Sequence, residues 1–179
     1  MKDKLGQIHV YTGDGKGKTT AALGLAMRAR GHGLKVAIVF FDKGGANYGE
    51  RTILKKIGVD FWVIGYDRCD PQTKKFRFGV NKKDKQAANQ GLDIARQLLI
   101  DSKYDLVILD EINSTTNLKM LDVKEVIEVV DNKNSRVELV MTGRDAPIEF
   151  KKIANLVTEM KLRKHYYYQG VQARKGIEY

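Results

Sequence analysis

The stretch Thr12-Gly13-Asp14-Gly15-Lys16-Gly17-Lys18-Thr19-Thr20 leaves this chain little freedom in what it can fold into. It follows Gln7-Ile8-His9-Val10-Tyr11 and precedes Ala21-Ala22-Leu23-Gly24-Leu25-Ala26-Met27, so strand, glycine-rich turn and helix come in sequence. That is the context a phosphate-binding P-loop requires. Glycines let the backbone bend until successive N–H groups face one hollow, and the positive end of the following helix adds to the field there. A lysine at position 18 reaches phosphate oxygens, and a threonine hydroxyl at position 19 can ligate a magnesium ion bound to them. One departure from the usual pattern is Thr12, which stands where the first glycine is commonly found. The motif predicts a nucleotide site.

Around it, apolar β-branched runs alternate with helical patterns, which points to a parallel sheet covered on both faces. Strands are expected at residues 7–12, 35–41, 60–66, 104–109 and 136–142, with a short sixth near 156–160. Helices are expected at 18–30, 49–57, 82–101, 123–132 and 147–154. Gly31-His32-Gly33 supplies a stop for the first helix. With no internal repeat and no long linker, residues 1–179 read as a single domain. Residues 67–81 fit neither pattern. They hold Pro71, Gly79, Phe76 and Phe78 among many charges, and an irregular loop of that length is commonly functional.

Asp105-Leu106-Val107-Ile108-Leu109 is a hydrophobic strand that runs into Asp110 and Glu111. Carboxylates at the end of a strand next to a P-loop can hold magnesium directly or through water. Asp110 occupies the usual position, and Glu111 is either a direct ligand or an orienter of water. Val140-Met141-Thr142-Gly143-Arg144 ends at the same sheet edge, with Arg144 a phosphate contact or a structural anchor. His9 and His32 read as structural. Neither a Ser/His/Asp set nor a histidine metal cluster is identifiable.

Composition narrows the setting. Lys and Arg number 32 against 22 Asp and Glu, a net charge of +10, and Arg68 to Lys85 alone carries seven basic residues against two acidic ones. Such an excess suits a solvated surface or a polyanionic partner, either nucleic acid or a small multivalent anion. Cys69 is the only cysteine, which excludes an internal disulfide and a cysteine-rich zinc site. No apolar run approaches the roughly 20 residues of a membrane span. No membrane partner and a cytoplasmic location are the expectation.

Several of these segments together resemble the P-loop class of ATP:corrinoid adenosyltransferases. They are residues 13–22, Arg28, residues 31–36, 105–113 and 142–144, and the ending 156–161, Lys164-His165 and Gly176-Ile177-Glu178-Tyr179. The resemblance covers nearly the whole chain in motif order. It implies a RecA-like P-loop NTPase fold, α/β, with a mostly parallel five- or six-stranded sheet and helices on both faces. It also implies transfer of the 5′-deoxyadenosyl group of ATP to reduced Co(I) of a corrinoid, with release of triphosphate. Mg2+ or Mn2+, a homodimer and a reductase supplying Co(I) belong to the same expectation.

Carried over residue by residue, Thr12, Gly13, Asp14, Gly15, Lys16, Gly17, Lys18, Thr19 and Thr20 would bind ATP together with Arg28 and Arg144. Thr19, Glu111 and Asp110 would hold the metal, with Lys18 and Glu111 the catalytic pair. Asp14 stands where the family commonly has Asn and would reach towards the nucleoside. Relatives often carry a Phe-Thr-Trp-Glu-Thr-like segment after the third strand. Here the longer 67–79 loop offers Phe76-Arg77-Phe78-Gly79, making Phe76 and Phe78 the corrinoid-binding candidates. From the residues alone two rivals stay open: a RecA-like ATPase that binds nucleic acid, and a nucleotide-binding regulatory module without transfer chemistry.

Overall fold

Val36-Ala37-Ile38-Val39-Phe40 and Leu106-Val107-Ile108-Leu109-Asp110 are buried at every residue, as strands sandwiched between two helical layers must be. The computed structural model describes residues 5–45, 48–66 and 79–179. In it these runs are β2 (Val36–Phe40) and β4 (Leu106–Asp110). The other strands are β1 (Ile8–Thr12), β3 (Asp60–Val63), β5 (Glu138–Thr142) and β6 (Leu156–Glu159). All pairings are parallel, and the six strands lie in the order β3-β2-β4-β5-β1-β6.

Because side chains alternate across a strand, the sheet sorts its apolar residues into two cores. Ala37, Val39, Val107, Leu109, Leu139 and Met141 face the helices α3 (Lys82–Ile100), α5 (Val123–Asp131) and α6 (Ile148–Ile153). Val36, Ile38, Phe40, Leu106, Ile108 and Val140 face α1 (Lys18–Gly31) and α2 (Glu50–Lys56). Helices therefore cover both faces, as expected. The start of α3 is fixed by a capping box: Asn81 accepts from the Asp84 N–H, and the Asp84 carboxylate accepts from the Asn81 N–H.

Three features differ from the expectation. A further short helix, α4 (Ile112–Asn117), follows β4 directly; its residues, Ile-Asn-Ser-Thr-Thr-Asn, carry no apolar period that would announce it. The third strand ends at Val63, three residues early, although the Ile64 N–H still donates to the Phe40 carbonyl at 2.8 Å. Pro147 caps α6 from outside. The loop at 67–81 lies outside the described residues except for its last three, and Phe76 and Phe78 lie outside them altogether.

A candidate nucleotide site at the carboxyl edge of the sheet

Backbone strain concentrates where β2, β4 and β5 end. Among the described residues four non-glycines have positive φ, and Asp42, Glu111 and Asp145 all follow the carboxyl ends of these strands. Left-handed backbone at side-chain-bearing residues persists only where the surroundings enforce it, and it gathers at functional sites. The carboxyl edge is also where open α/β sheets bind ligands.

The glycine-rich turn wraps this edge. Its Gly15 N–H donates to the Met160 carbonyl at 2.7 Å, just past β6. A Cβ on Gly13, whose φ is +99°, would lie 2.4 Å from that same oxygen, so only glycine permits the approach. Inside the turn, the buried Lys18 ammonium donates to the carbonyls of Gly13 and Gly15, at 2.6 and 2.7 Å. Burial lowers the pKa of this lysine, with the Glu111 carboxylate opposing that shift.

Asp110 is almost wholly enclosed, 1% exposed. One of its oxygens accepts from the Thr142 hydroxyl at 2.7 Å, and the other from the Lys43 ammonium at 2.5 Å. Thr142 in turn accepts from the Glu111 N–H at 3.0 Å, which helps pin the left-handed turn at that residue. The Glu111 carboxylate accepts from the Ser114 hydroxyl on α4 and lies 3.5 Å from the Lys43 ammonium. Lys43 completes the set by donating to the Thr19 hydroxyl at 2.7 Å. Desolvation would depress the Lys43 pKa, but the buried Asp110 carboxylate and then Glu111 outweigh it, and the net shift is upward.

Thr19, Asp110 and Glu111 thus converge on one ammonium, although β4 is not the neighbour of β1. The expectation of an adjacent strand is corrected here: β5 lies between them, and its Thr142 spans the gap. The sequence signal for Lys43 was slight, a lysine in Phe-Asp-Lys-Gly-Gly just past a fully buried strand. Arg51, also missed, fixes the backbone there, donating to the carbonyls of Lys43 and Gly45 at 2.5 Å each.

Of these groups Lys18, Thr19, Lys43 and Glu111 line a cavity of about 930 Å3 that also takes in Thr20, Arg144, Tyr48, Tyr167, Tyr168 and residues 176–179. Of the ATP-binding candidates, Asp14 to Thr20 and Arg144 line it, and Thr12, Gly13 and Arg28 do not. Thr12 is buried, its hydroxyl accepting from the Ala146 N–H at 3.1 Å. Asp14 accepts from the Leu162 N–H at 2.9 Å, and that bond is the main reason its carboxyl is lowered. Lys16 turns to the tail instead, donating to Glu178 at 2.9 Å, to the Ile177 carbonyl and to the Tyr166 hydroxyl.

A glycine-rich turn after β1, a carboxylate pair at the end of β4 and one strand between them define a RecA-like P-loop α/β fold. The fold is similar to that of the RadB recombinase, with a TM-score of 0.52 over 90% of this chain and 77% of the other at 13% identity. Sequence comparison goes further. The chain belongs to the ATP:corrinoid adenosyltransferase BtuR/CobO/CobP family, whose family model matches residues 4–179. Corrinoid adenosyltransferase of Escherichia coli (strain K12) is 36% identical, covering 99% of this chain and 88% of the relative. Those of a Sinorhizobium species and of Pseudomonas aeruginosa are 35% and 33% identical, each over 99% of this chain and over 82% and 86% of the relatives.

Proposed function

We propose that this protein transfers the 5′-deoxyadenosyl group of ATP to Co(I) of a reduced corrinoid such as cob(I)alamin, in the formation or salvage of the adenosylated coenzyme. The observation that carries the reading is the convergence of Thr19, Asp110 and Glu111 on a single cation beside the P-loop, in a chain of this family. One hydroxyl and two carboxylates are hard oxygen donors of the kind Mg2+ or Mn2+ prefers, and the Lys43 ammonium seated among them, its pKa raised by Asp110 and Glu111, supports this reading. Thr19 and Glu111 would hold such an ion, with Asp110 behind them. The ion would neutralise charge on the triphosphate.

The chain's own residues do the rest. N–H groups from Lys16 to Thr20 would face the phosphates, the Gly15 N–H being held by Met160, and Lys18 would exchange its two carbonyl partners for phosphate oxygens. Cobalt is the nucleophile: its electron pair forms the Co–C5′ bond as C5′–O5′ breaks, and that bond pair leaves on the triphosphate. No serine, cysteine or general base is needed. The protein's task is to set C5′ in line with the corrinoid and to stabilise the departing anion. A homodimer, a cytoplasmic setting and a separate reductase supplying Co(I) complete the proposal. Among the described residues no helix is long and apolar enough to cross a membrane.

The products test it. With ATP, magnesium and chemically reduced cobalamin, phosphorus NMR is expected to record inorganic triphosphate accumulating in step with a light-sensitive adenosylated corrinoid. An ordinary P-loop ATPase splits the β–γ bond instead. ADP released without corrinoid, at a rate raised by DNA or RNA, would overturn the reading.

A further inference from the structure

Lys43 lies where the metal is proposed to go, and its partners come from two separate parts of the site. The Thr19 hydroxyl belongs to the first turn of α1, whereas Asp110 and Glu111 stand at the end of β4. Nothing else among the contacts described above ties those two elements through a cation, because the Lys18 ammonium is spent on loop carbonyls. A carboxylate as enclosed as Asp110 is strongly destabilising if its positive partner is removed. Arg51 holds the Lys43 backbone while the side chain, 16% exposed, keeps a flexible four-carbon stem. The ammonium can therefore move without the loop moving.

We propose that Lys43 is the resident counter-cation of the metal site: without nucleotide its ammonium holds Thr19, Asp110 and Glu111 together, and when a divalent ion enters with ATP it yields the carboxylates and turns onto the triphosphate. The inference rests on reading this cavity as a metal–triphosphate site, but not on corrinoid chemistry. A lysine and a divalent ion crowded onto the same carboxylate oxygens repel each other strongly. The triphosphate then becomes the nearest uncompensated anion. Lys43 is thereby a positioning residue for the empty site and a phosphate ligand in the filled one.

Two measurements test this. Mn2+ binding to nucleotide-free protein, read by electron paramagnetic resonance, should tighten about tenfold or more in Lys43→Met, the loss of one charged hydrogen-bonding competitor. Lys43→Arg, which keeps a cation, should stay near the wild-type value. Affinity for tripolyphosphate with Mn2+ should move the opposite way, falling about tenfold in Lys43→Met. Wild-type protein supplies the second measurement, which depends on no substitution. Amine-directed labelling of Lys43, followed by mass spectrometry, should be slow in the bare protein, faster with saturating Mg2+, and slow again when tripolyphosphate is added. Unchanged Mn2+ affinity in Lys43→Met, or labelling indifferent to Mg2+, would overturn the inference and leave the transferase reading intact. No Mn2+ binding by wild type even with ATP would overturn both this inference and the metal site on which it rests.

Discussion

Lys18 sits in the cavity with its ammonium on two neutral carbonyls, and a triphosphate offers it charged acceptors in their place. Charge-assisted hydrogen bonds contribute about 1.5–3 kcal/mol. Lys18→Ala is accordingly expected to weaken ATP binding by roughly tenfold to a hundredfold, measured by calorimetry on folded protein. Equal affinity in the two proteins would remove Lys18 from the site. This residue, Thr19, Asp110 and Glu111 were all legible in the sequence because their relation is local: a turn fixes the first two, a strand end the others. Lys43 was not. Its partners come from α1 and β4, and only the folded sheet brings them within 2.5–3.5 Å of one nitrogen. Thr142 was visible as the end of a strand, but its bridging role depends on a strand order that no local pattern encodes.

At the scale of elements, two mid-helix glycines look alike in the sequence and differ in the fold. Gly24 on α1 is exposed, and a Cβ there meets nothing within 4 Å. Gly24→Ala should raise stability by about 0.5–1 kcal/mol through helix propensity. Gly91 on α3 is pressed against the residues that follow β2 and β3, and its Cβ would lie 2.7 Å from Phe41 Cε1 and 3.1 Å from both Ile64 Cγ atoms. The Phe41 ring is completely enclosed and cannot retreat. Gly91→Ala should instead cost about 1–3 kcal/mol by overpacking. Paired thermal melts check both signs, and a stabilised Gly91→Ala protein would mean that α3 stands further from the sheet than described. Element type was readable from periodicity for the six strands and the longer helices. The six-residue α4 escaped because a helix of Asn, Ser and Thr is held by its neighbours rather than by an apolar stripe.

Across the whole molecule, the tail meets the turn that follows the first strand. Glu178 accepts from Lys16, from the Tyr166 hydroxyl and from both the amide and the guanidinium of Arg174. Those bonds, Arg174 foremost, hold its carboxyl far below the ordinary glutamate range. The sign follows from linkage: a lowered folded-state value stabilises the tail at pH above the unfolded value and loses that contribution as pH falls beneath it. The Arg174 amide should therefore stay protected from hydrogen exchange through mildly acidic pH and open only under strong acid. In Glu178→Gln it should exchange faster at neutral and mildly acidic pH, the two proteins converging only under strong acid. Exchange identical in both proteins would dissolve the latch. The tail was recognisable as a family ending, but nothing in its sequence announced that it would reach Lys16.

The strand order carries one more implication. β1 lies between β5 and β6, with His9 in register with Val140 on one side and Leu156 on the other. β1 therefore waits for two strands more than a hundred residues later in the chain to acquire its neighbours. Pairing across such a sequence separation is slow, since the loop entropy must be met before any contact compensates it. A chain still being translated carries the whole glycine-rich sequence long before it has the folded turn. The turn after β1 thus takes its described shape only once the chain through Met160, whose carbonyl it meets, has been made.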